Sequence, residues 1–387
     1  MIHFGNHPVV KNYLVNVNDE PSSWPIHLYF CESCGLTQLV DSCPPEVLYE
    51  NYVTLSDWKN QPHVQHEIDF IKNLPGISAD AKIIEIGSND GVFLKKLLEN
   101  GFRDTLGIEP TRDAYDASIA KGLNTIQAFL NPDLAKKVVA ERGKFDLFLS
   151  RQNLEHISDL KGIIESINVL IKPGGYVVIE VPNHECNLQG FDYALWEEHV
   201  NYFTVDTLRY LLSQAEVEII HEENILFSGE ALLVVGKKVG NVTCSVNYLP
   251  ELRKQNVTYA EQWPKFRQAI RDFLFAKKSI GRKIAVYGAG VRTLCWINFT
   301  GIAAYIDIIV DDQVEKQNKF MPGGKIPILP SSALYQKGID IVLLAVNTEN
   351  EEKVINKHKN WVSNGGQFWS ILPPSDRLLP VWKLFCK

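Results

Sequence analysis

One stretch decides the fold of this chain, Lys82-Ile-Ile-Glu-Ile-Gly-Ser-Asn-Asp-Gly91. It predicts a buried strand, Lys82 to Ile86, that ends in Glu-x-Gly-x-x-x-Gly and runs directly into a helix near 91–100. Glycines let the backbone approach a ligand closely at the carboxyl end of a strand, where open α/β sheets bind cofactors. The spacing is neither G-x-G-x-x-G nor G-x-x-x-x-G-K-[ST], so it disfavours NAD and ATP at this turn.

Strands and amphipathic helices alternate on either side of this turn. A parallel, doubly wound sheet is the structure that such alternation predicts. The further strands are predicted at 105–108, 145–149, 176–181 and 231–235, and the further helices at about 112–121, 132–141, 159–171 and 205–214.

A second Gly-rich turn predicts a second Rossmann-like unit. Lys283-Ile-Ala-Val-Tyr-Gly-Ala-Gly290 follows a polar connection around 240–255 and an aromatic-rich helix near 259–279, and strands are predicted at 284–287, 306–310, 327–329 and 341–345. Residues before about 60 contain Pro-rich turns and short strands such as Ile26 to Phe30, with no long helix pattern. We therefore predict an α/β protein with a small irregular N-terminal module (1–60), a first Rossmann-like domain (61–245) and a second one (246–387).

Composition excludes several classes of protein. The 387 residues are 45% hydrophobic and 22% charged, which is ordinary for a globular chain. The net charge of −7 gives no indication of a basic surface for nucleic acid. No apolar run approaches the roughly 20 residues that span a bilayer, and no secretory signal is evident. Seven cysteines, mostly scattered, indicate a reducing cytoplasm rather than a disulfide framework. We expect a cytoplasmic monomer without nucleic-acid or membrane partners.

A carboxylate follows the first turn at the distance expected for a nucleoside site. The second strand ends in Leu106-Gly-Ile-Glu109-Pro, which places Glu109 where a ribose would offer its hydroxyls. Together with Phe145-Asp-Leu-Phe-Leu149 and Leu170-Ile-Lys-Pro-Gly-Gly175, this order resembles the class I S-adenosylmethionine-dependent methyltransferases. The resemblance implies S-adenosylmethionine as cofactor, bound by Glu85, Gly87, Asn89, Gly91 and Glu109.

The loop after the fifth strand carries candidate chemistry in Trp196-Glu-Glu-His199-Val-Asn-Tyr-Phe203. Methyl transfer to carbon needs a carbanion, normally an enolate beside a carbonyl, and histidine is a base with a pKa near neutrality. Glu197 or Glu198 could orient such an imidazole. Just beyond the fourth strand, Arg151-Gln-Asn-Leu-Glu-His156 contributes Asn153 and His156 to the same cleft, as contacts to sugar or cofactor or as structural residues.

The full order of motifs resembles the deoxysugar C-methyltransferases. It consists of CxxCGL-x-QL, Y-x-x-x-S, E-x-G-S-N-D-G, E-x-P and E-H-x-x-Y-F, and then a second unit with Y-G-A-G and K-Q-x-x-x-x-P-G. The resemblance covers about 4–375 and implies methylation of a nucleotide-linked 4-keto-6-deoxysugar (dTDP or GDP), typically at C3, with C5 left open as the methylated carbon. It implies His199 as the base that removes the C3 proton, beside Glu198. The family's Tyr-His before these two residues is Trp196-Glu197 here.

The resemblance also suggests residues that contact the substrate. A family tyrosine near the sugar corresponds to Tyr52, although the register also allows Thr54. The second Rossmann-like unit would help to hold the nucleotide-sugar. The substrate-binding candidates are Asn153, His156, Tyr202, Tyr287 and Arg292. Two other functions stay open: an O- or N-methyltransferase, which needs no carbon base, and an NAD-dependent oxidoreductase using 283–312.

Cys31-Glu-Ser-Cys34-Gly is half of a zinc site, because a tetrahedral structural zinc needs four ligands. The resembled family has another C-x-x-C upstream of the segment that matches Phe4 to Pro8, and this chain begins after it. His3, His7 and Cys43 are possible substitutes without convincing spacing. Both a bound zinc and an unmetallated remnant therefore stay open.

Overall fold

Three β-sheets organise the chain. The computed structural model describes residues 2–49, 63–191, 195–227, 230–371 and 373–385. The first range contains β1 (Ile2–Pro8), β2 (Ser23–Phe30), β3 (Thr37–Val40) and α1 (Pro45–Tyr49).

The middle of the chain forms a seven-stranded sheet. Its elements are α2 (Val64–Lys72), β4 (Lys82–Ile86), α3 (Val92–Glu99), β5 (Asp104–Ile108), α4 (Arg112–Ala120), β6 (Thr125–Ile126), α5 (Pro132–Arg142), β7 (Phe145–Arg151), α6 (Leu160–Leu170), β8 (Ile171–Pro182), α7 (His184–Gly190), β9 (Asn201–Tyr202), α8 (Val205–Ser213), β10 (Val217–Leu226) and β11 (Glu230–Lys238). The strand order is β10-β11-β8-β7-β4-β5-β6, and the five strands from β8 to β6 are parallel. The predicted parallel sheet is confirmed.

Two strands of this sheet were not predicted. Strand β10 lies at one edge and pairs antiparallel with β11, and β6 has only two residues at the other edge. Residues along β10 alternate between more and less exposed, with Glu218 and Glu222 facing solvent. An edge strand with such a polar face lacks the continuous apolar run by which the central strands are recognised.

The N-terminal sheet takes one strand from the middle of the chain. Its order is β1-β2-β3-β9, and β9 pairs antiparallel with β3 so that Tyr202 lies opposite Thr37. Strand β9 directly follows His199, so the N-terminal module packs on the loop with the candidate base. The domain boundaries at 60 and 245 stay a prediction.

The remaining elements form a third, six-stranded sheet. They are α9 (Leu249–Ser279), β12 (Ile284–Tyr287), α10 (Val291–Thr300), β13 (Ile308–Val310), β14 (Lys319–Phe320), β15 (Pro327–Leu329), α11 (Ala333–Gln336), β16 (Ile341–Leu344), α12 (Thr348–Lys357), α13 (Lys359–Ser363) and β17 (Gln367–Ser370). The strand order is β14-β15-β13-β12-β16-β17, parallel except for β14. The second Rossmann-like unit is thus confirmed.

Helix α9 is longer than predicted. It begins at Leu249, within the segment that we expected to be a polar connection, and Leu252 and Asn256 are buried in its first turns. The Thr37 hydroxyl donates a hydrogen bond of 2.9 Å to Asn256 Oδ1. The first turns of α9 are therefore helical although their polar residues suggested a loop, and this part of the helix contacts the N-terminal sheet. Within the described residues, no helix combines the length and the apolar character needed to cross a bilayer.

Candidate active site

The predicted cofactor turn lies at the carboxyl end of β4. Gly87 has φ +64° and its N–H donates to Ile108 O at 2.8 Å. Glu85 Oε2 and Ser88 Oγ are buried and have no hydrogen-bond partner among the described residues. Burial raises the pKa of Glu85 to about 8. Unpartnered buried polar atoms cost free energy, so this turn fits a polar ligand that would supply their missing partners.

Glu109 closes the other side of this turn. Its Oε2 accepts a hydrogen bond from Asn89 N at 2.9 Å, and its Oε1 accepts from Thr111 N at 2.9 Å. Burial raises the pKa of Glu109, whereas these hydrogen bonds act in the opposite direction. Each carboxylate oxygen has more than one lone pair, so Glu109 can hold the turn and still accept from a ribose hydroxyl.

Gly91 has a packing role in the same turn. It caps α3 at φ +76°, and a Cβ there would lie 2.2 Å from Leu123 Cδ1 and 2.7 Å from Ser118 Oγ. Glycine is needed at this position because a side chain would displace α4 from α3.

Asn153 connects the cofactor turn to the candidate base. A Cβ at Gly87 would lie 2.4 Å from Asn153 Cγ, so the Asn153 side chain covers the turn directly. Asn153 precedes a 3-10 turn, Leu154–His156, and Val200 N donates to Glu155 O at 2.8 Å. The backbone thus ties the loop with His199 to the segment that contacts the cofactor turn.

His199 lies in a buried cluster of rings. Its side chain is 3% exposed, its ring centroid is 3.6 Å from that of Trp196, and the His156 ring stands perpendicular to it at 4.8 Å. An ionisable atom, Glu155 Oε1, lies 3.9 Å from His199 Nε2. Sequence reasoning did not select Glu155, although it lies inside the quoted segment Arg151 to His156.

The acids next to His199 in sequence have other partners. Glu197 Oε1 accepts from Val10 N at 2.8 Å, and Cys295 Sγ donates to its Oε2 at 3.3 Å. Glu197 therefore connects the N-terminal segment to α10. Glu198 Oε1 lies 3.0 Å from Lys11 Nζ, and its Oε2 lies 3.9 Å from His156 Nδ1. The structure thus brings Glu198 to the cluster and adds Lys11, which no sequence motif indicated.

Tyr202, which was predicted at the substrate, is buried in the loop that carries His199. Tyr202 is 3% exposed, its hydroxyl donates to Trp196 O at 3.4 Å, and its ring centroid lies 6.4 Å from that of His199. Burial raises its pKa well above the usual range. Tyr202 therefore supports the loop from within. Tyr52, with the alternative Thr54, lies outside the described residues.

Two further candidates, Tyr287 and Arg292, belong to the unit of the third sheet. The Tyr287 hydroxyl donates to Asp312 Oδ2 at 2.7 Å and lies 3.3 Å from His358 Nε2, so it is occupied inside its own unit. Arg292 lies in α10 and is 9% exposed. Since it precedes Cys295 by three residues, it shares the helix face that contacts Glu197.

A buried ion-pair network borders the cofactor turn. Arg151 Nε donates to Glu67 Oε2 at 2.8 Å, an Arg151 amino group donates to Glu180 Oε2 at 3.2 Å, and the guanidinium covers the Phe93 ring at 4.2 Å. Burial raises the pKa of Glu180, but Arg151, His63 and Gln152 together outweigh burial and lower this pKa to about 2. This network joins α2 to the ends of β7 and β8, and the sequence pattern did not predict it.

The described residues do not complete a zinc site at the cysteine pair. Cys31 and Cys34 belong to no group of three or more potential ligands in the part of the chain that the structure describes. Cys43 packs instead with Val9 and Leu48. The start of α9 holds the turn, because the hydroxyl of Tyr248, the residue directly before the helix, donates to Cys34 O at 2.9 Å. Two thiols do not fit a four-ligand structural zinc.

Comparisons with known proteins match three consecutive segments of the chain. Family models match at 1–49 ("Putative zinc binding domain"), 58–222 ("Methyltransferase domain") and 252–373 ("C-methyltransferase C-terminal domain"). The C-methyltransferase NovU of Streptomyces niveus is 25% identical, and the alignment covers 96% of this chain and 92% of that protein.

Over most of its length the chain is therefore similar to C-methyltransferases. The three family models follow one another in the same order as the sequence motifs. The resemblance to the C-methyltransferases is confirmed. S-adenosylmethionine is the cofactor that this resemblance implies. The residues around Gly87 and Glu109 fit this cofactor, since they offer a close backbone approach, a carboxylate at the end of the second strand and unpartnered buried polar atoms.

Other relatives match a smaller part of the chain. EEF1A lysine methyltransferase 2 of Danio rerio is 30% identical, over 27% of this chain and 48% of that protein. Among solved structures, a 1,6-didemethyltoxoflavin-N1-methyltransferase from Burkholderia thailandensis is 16% identical, and the match covers 55% of this chain and 99% of that chain, with a TM-score of 0.41.

Proposed function

We propose that this C-methyltransferase methylates the carbon next to the ketone of a nucleotide-linked 4-keto-6-deoxysugar, at C3, with His199 as the base. The observation that carries the proposal is the position of His199, a buried imidazole tied by backbone hydrogen bonding to the segment that covers the cofactor turn. Oxygen and nitrogen acceptors have no need of a buried carbon base.

His199 takes the C3 proton, which the C4 ketone makes acidic, and the electron pair of the C–H bond forms the enolate. S-adenosylmethionine, when bound at Gly87 and Glu109, supplies an electrophilic methyl group to that carbon. Trp196 covers one face of the imidazole at 3.6 Å and keeps bulk water from it. Holding the two reactants in line supplies much of the rate in such reactions.

The remaining site residues have supporting roles in the proposal. Glu198, paired with Lys11, is the carboxylate that the resemblance places beside the base. Asn153 and His156 line the space between cofactor turn and base, and Arg292 would meet the nucleotide phosphates from the third sheet. Tyr52 is proposed at the sugar on the resemblance alone. The nucleotide, dTDP or GDP, a cytoplasmic location and a monomeric state also belong to the proposal.

The test is mass spectrometry of dTDP- and GDP-linked 4-keto-6-deoxysugars, deuterated at C3, incubated with S-adenosylmethionine and the wild-type enzyme. We expect a product heavier by one methylene group that has lost the deuterium. Methylation with retention of C3 deuterium would favour an O- or N-methyltransferase or a different carbon.

His199→Asn separates base catalysis from cofactor binding. We expect turnover to fall by roughly 10²- to 10⁴-fold, the range for loss of a general base. Binding of S-adenosylhomocysteine, measured by calorimetry, should stay unchanged. The matched control is His66→Asn, because the side chain of His66 is 55% exposed on α2. Near-normal turnover of His199→Asn contradicts the carbon-acid mechanism.

A further inference from the structure

Methylation of a carbon acid leaves a proton inside a buried site. The positive charge of the sulfonium disappears when the methyl group moves to the enolate, so each turnover yields one proton in addition to the two products. His199 holds this proton in the mechanism above, and its side chain is 3% exposed. The proton must leave His199 before the next substrate can react.

Glu155 is placed to receive it. Its Oε1 lies 3.9 Å from His199 Nε2 and also 3.9 Å from His156 Nε2, so one carboxyl oxygen faces both imidazoles. The side chain is 2% exposed, and neither oxygen has a hydrogen-bond partner among the described residues. A movement of about 1 Å brings either imidazole to hydrogen-bond distance.

His156 is the more exposed end of this cluster. Its side chain is 18% exposed, compared with 3% for His199. On its other side, His156 Nδ1 lies 3.9 Å from Glu198 Oε2, and Lys11 Nζ lies 3.0 Å from Glu198 Oε1 with 23% of its side chain exposed. Ionisable groups therefore extend without interruption from the buried base towards solvent.

We propose that Glu155 passes the proton of His199 to His156, from which it reaches solvent. The inference rests on the proposed carbon-acid reaction. The C–H bond of the substrate breaks and an N–H bond forms on His199. Glu155 gives its own carboxyl proton to His156, His156 gives it to water, and the carboxylate takes the proton from His199 Nε2. Glu155, His156 and His199 then carry the same number of protons as before the reaction.

The charges around Glu155 agree with this sequence of transfers. Burial and the nearby Glu180 carboxylate raise the pKa of Glu155 well above its usual range, which favours the protonated carboxyl at rest. Burial and the Lys11 ammonium lower the pKa of His156 to about 3, so His156 is neutral and holds the proton only briefly. A positive charge formed on His199 favours the carboxylate of Glu155 during the transfer.

Glu155→Gln tests the proposal because the amide keeps the shape and loses the titrating proton. Two rates are compared with the same keto-sugar: exchange of the C3 hydrogen with D2O in the presence of S-adenosylhomocysteine, and single-turnover methylation with S-adenosylmethionine. In the variant, His199 still takes the proton but returns it to carbon. We expect exchange to fall by roughly 100-fold, the size of a lost proton-transfer group, with single-turnover methylation within a few-fold of wild type.

Two further variants complete the experiment. Glu155→Asp keeps a carboxyl group and should recover part of the exchange. Glu351→Gln is the matched control, because Glu351 is a 5% exposed glutamate of α12, in the third-sheet unit, and it should change neither rate.

The outcomes separate the two proposals. Equal loss of both rates in Glu155→Gln, or exchange at the wild-type rate, overturns the relay and leaves the proposed function intact. The relay is also overturned if the wild-type enzyme contains stoichiometric zinc or manganese and Glu155→Gln does not. A cation would then occupy the position of the proton. Wild-type enzyme that neither methylates nor exchanges any sugar of the panel overturns both.

Discussion

Protonation of Glu197 should control how stability depends on pH. Its carboxyl is 2% exposed and lies between Val10 of the N-terminal segment and Cys295 of α10. Burial, reinforced by the neighbouring Glu198 carboxylate, raises its pKa from 4.5 to about 7. The folded protein therefore prefers the neutral acid.

This preference determines the direction in which the free energy of unfolding changes with pH. A carboxyl whose pKa is higher in the folded state than in the unfolded state contributes its full stability below pH 4.5, and this contribution is lost as pH rises through about 7. One pKa unit corresponds to about 1.4 kcal/mol. Between pH 5 and pH 8, ionisation of Glu197 should thus lower the free energy of unfolding by roughly 2 to 3 kcal/mol.

Glu197→Gln should remove this dependence, because the amide is neutral at every pH and still accepts from Val10 N. Relative to wild type, the variant should gain roughly 2 to 3 kcal/mol in unfolding free energy on going from pH 5 to pH 8. Urea unfolding, followed by tryptophan fluorescence and circular dichroism together, measures the difference. The control is Glu165→Gln, whose side chain is 52% exposed and which should follow wild type. A variant that is less stable than wild type by the same amount at both pH values refutes the reasoning.

Three further predictions concern the cofactor turn and the cysteine pair. Glu109→Gln weakens the charge-assisted hydrogen bonds from Asn89 N and Thr111 N. The Kd for S-adenosylhomocysteine, measured by calorimetry, should therefore rise by about tenfold or more. An unchanged Kd contradicts the role assigned to Glu109. Gly91→Ala should lower Tm more than Gly76→Ala, because both positions have positive φ but only a Cβ at Gly91 meets neighbours, at 2.2 Å; equal losses would exclude the steric cause. Tyr248→Phe should cost about 1 kcal/mol in unfolding free energy through the lost bond to Cys34 O, and a chelator should leave the wild-type Tm unchanged. A chelator that unfolds the N-terminal module would show that a metal, rather than α9, holds the cysteine turn.

The fold could be predicted to a large extent because its signals are local. The strand before Gly87, the helix after Gly91 and the restart of the pattern at Tyr287 each depend on residues that are neighbours in sequence. The elements that were missed depend on distant partners. Strand β9 exists because Tyr202 pairs with Thr37, and the start of α9 packs on the N-terminal sheet through Asn256.

In the candidate site, too, the residues that could be predicted depend on local signals and the missed ones depend on distant partners. Gly87 and Glu109 could be placed together because the carboxyl ends of adjacent parallel strands meet at one edge of a sheet. His199 could be selected because an imidazole in the loop after the fifth strand suits proton removal from carbon. The expected acid partner was an adjacent glutamate, whereas the structure puts Glu155 Oε1 at 3.9 Å from His199 Nε2.

The sequence by itself determined the α/β class, the two Gly-rich turns and the family resemblance, since these depend on residue type and short spacing. Only the tertiary structure decided which acid serves which partner. Glu197 connects two units, Glu198 meets Lys11, and Glu155 stands between two imidazoles. The physical reason is that burial and pairing set the charge of a carboxyl group, and both depend on groups that are far apart along the chain.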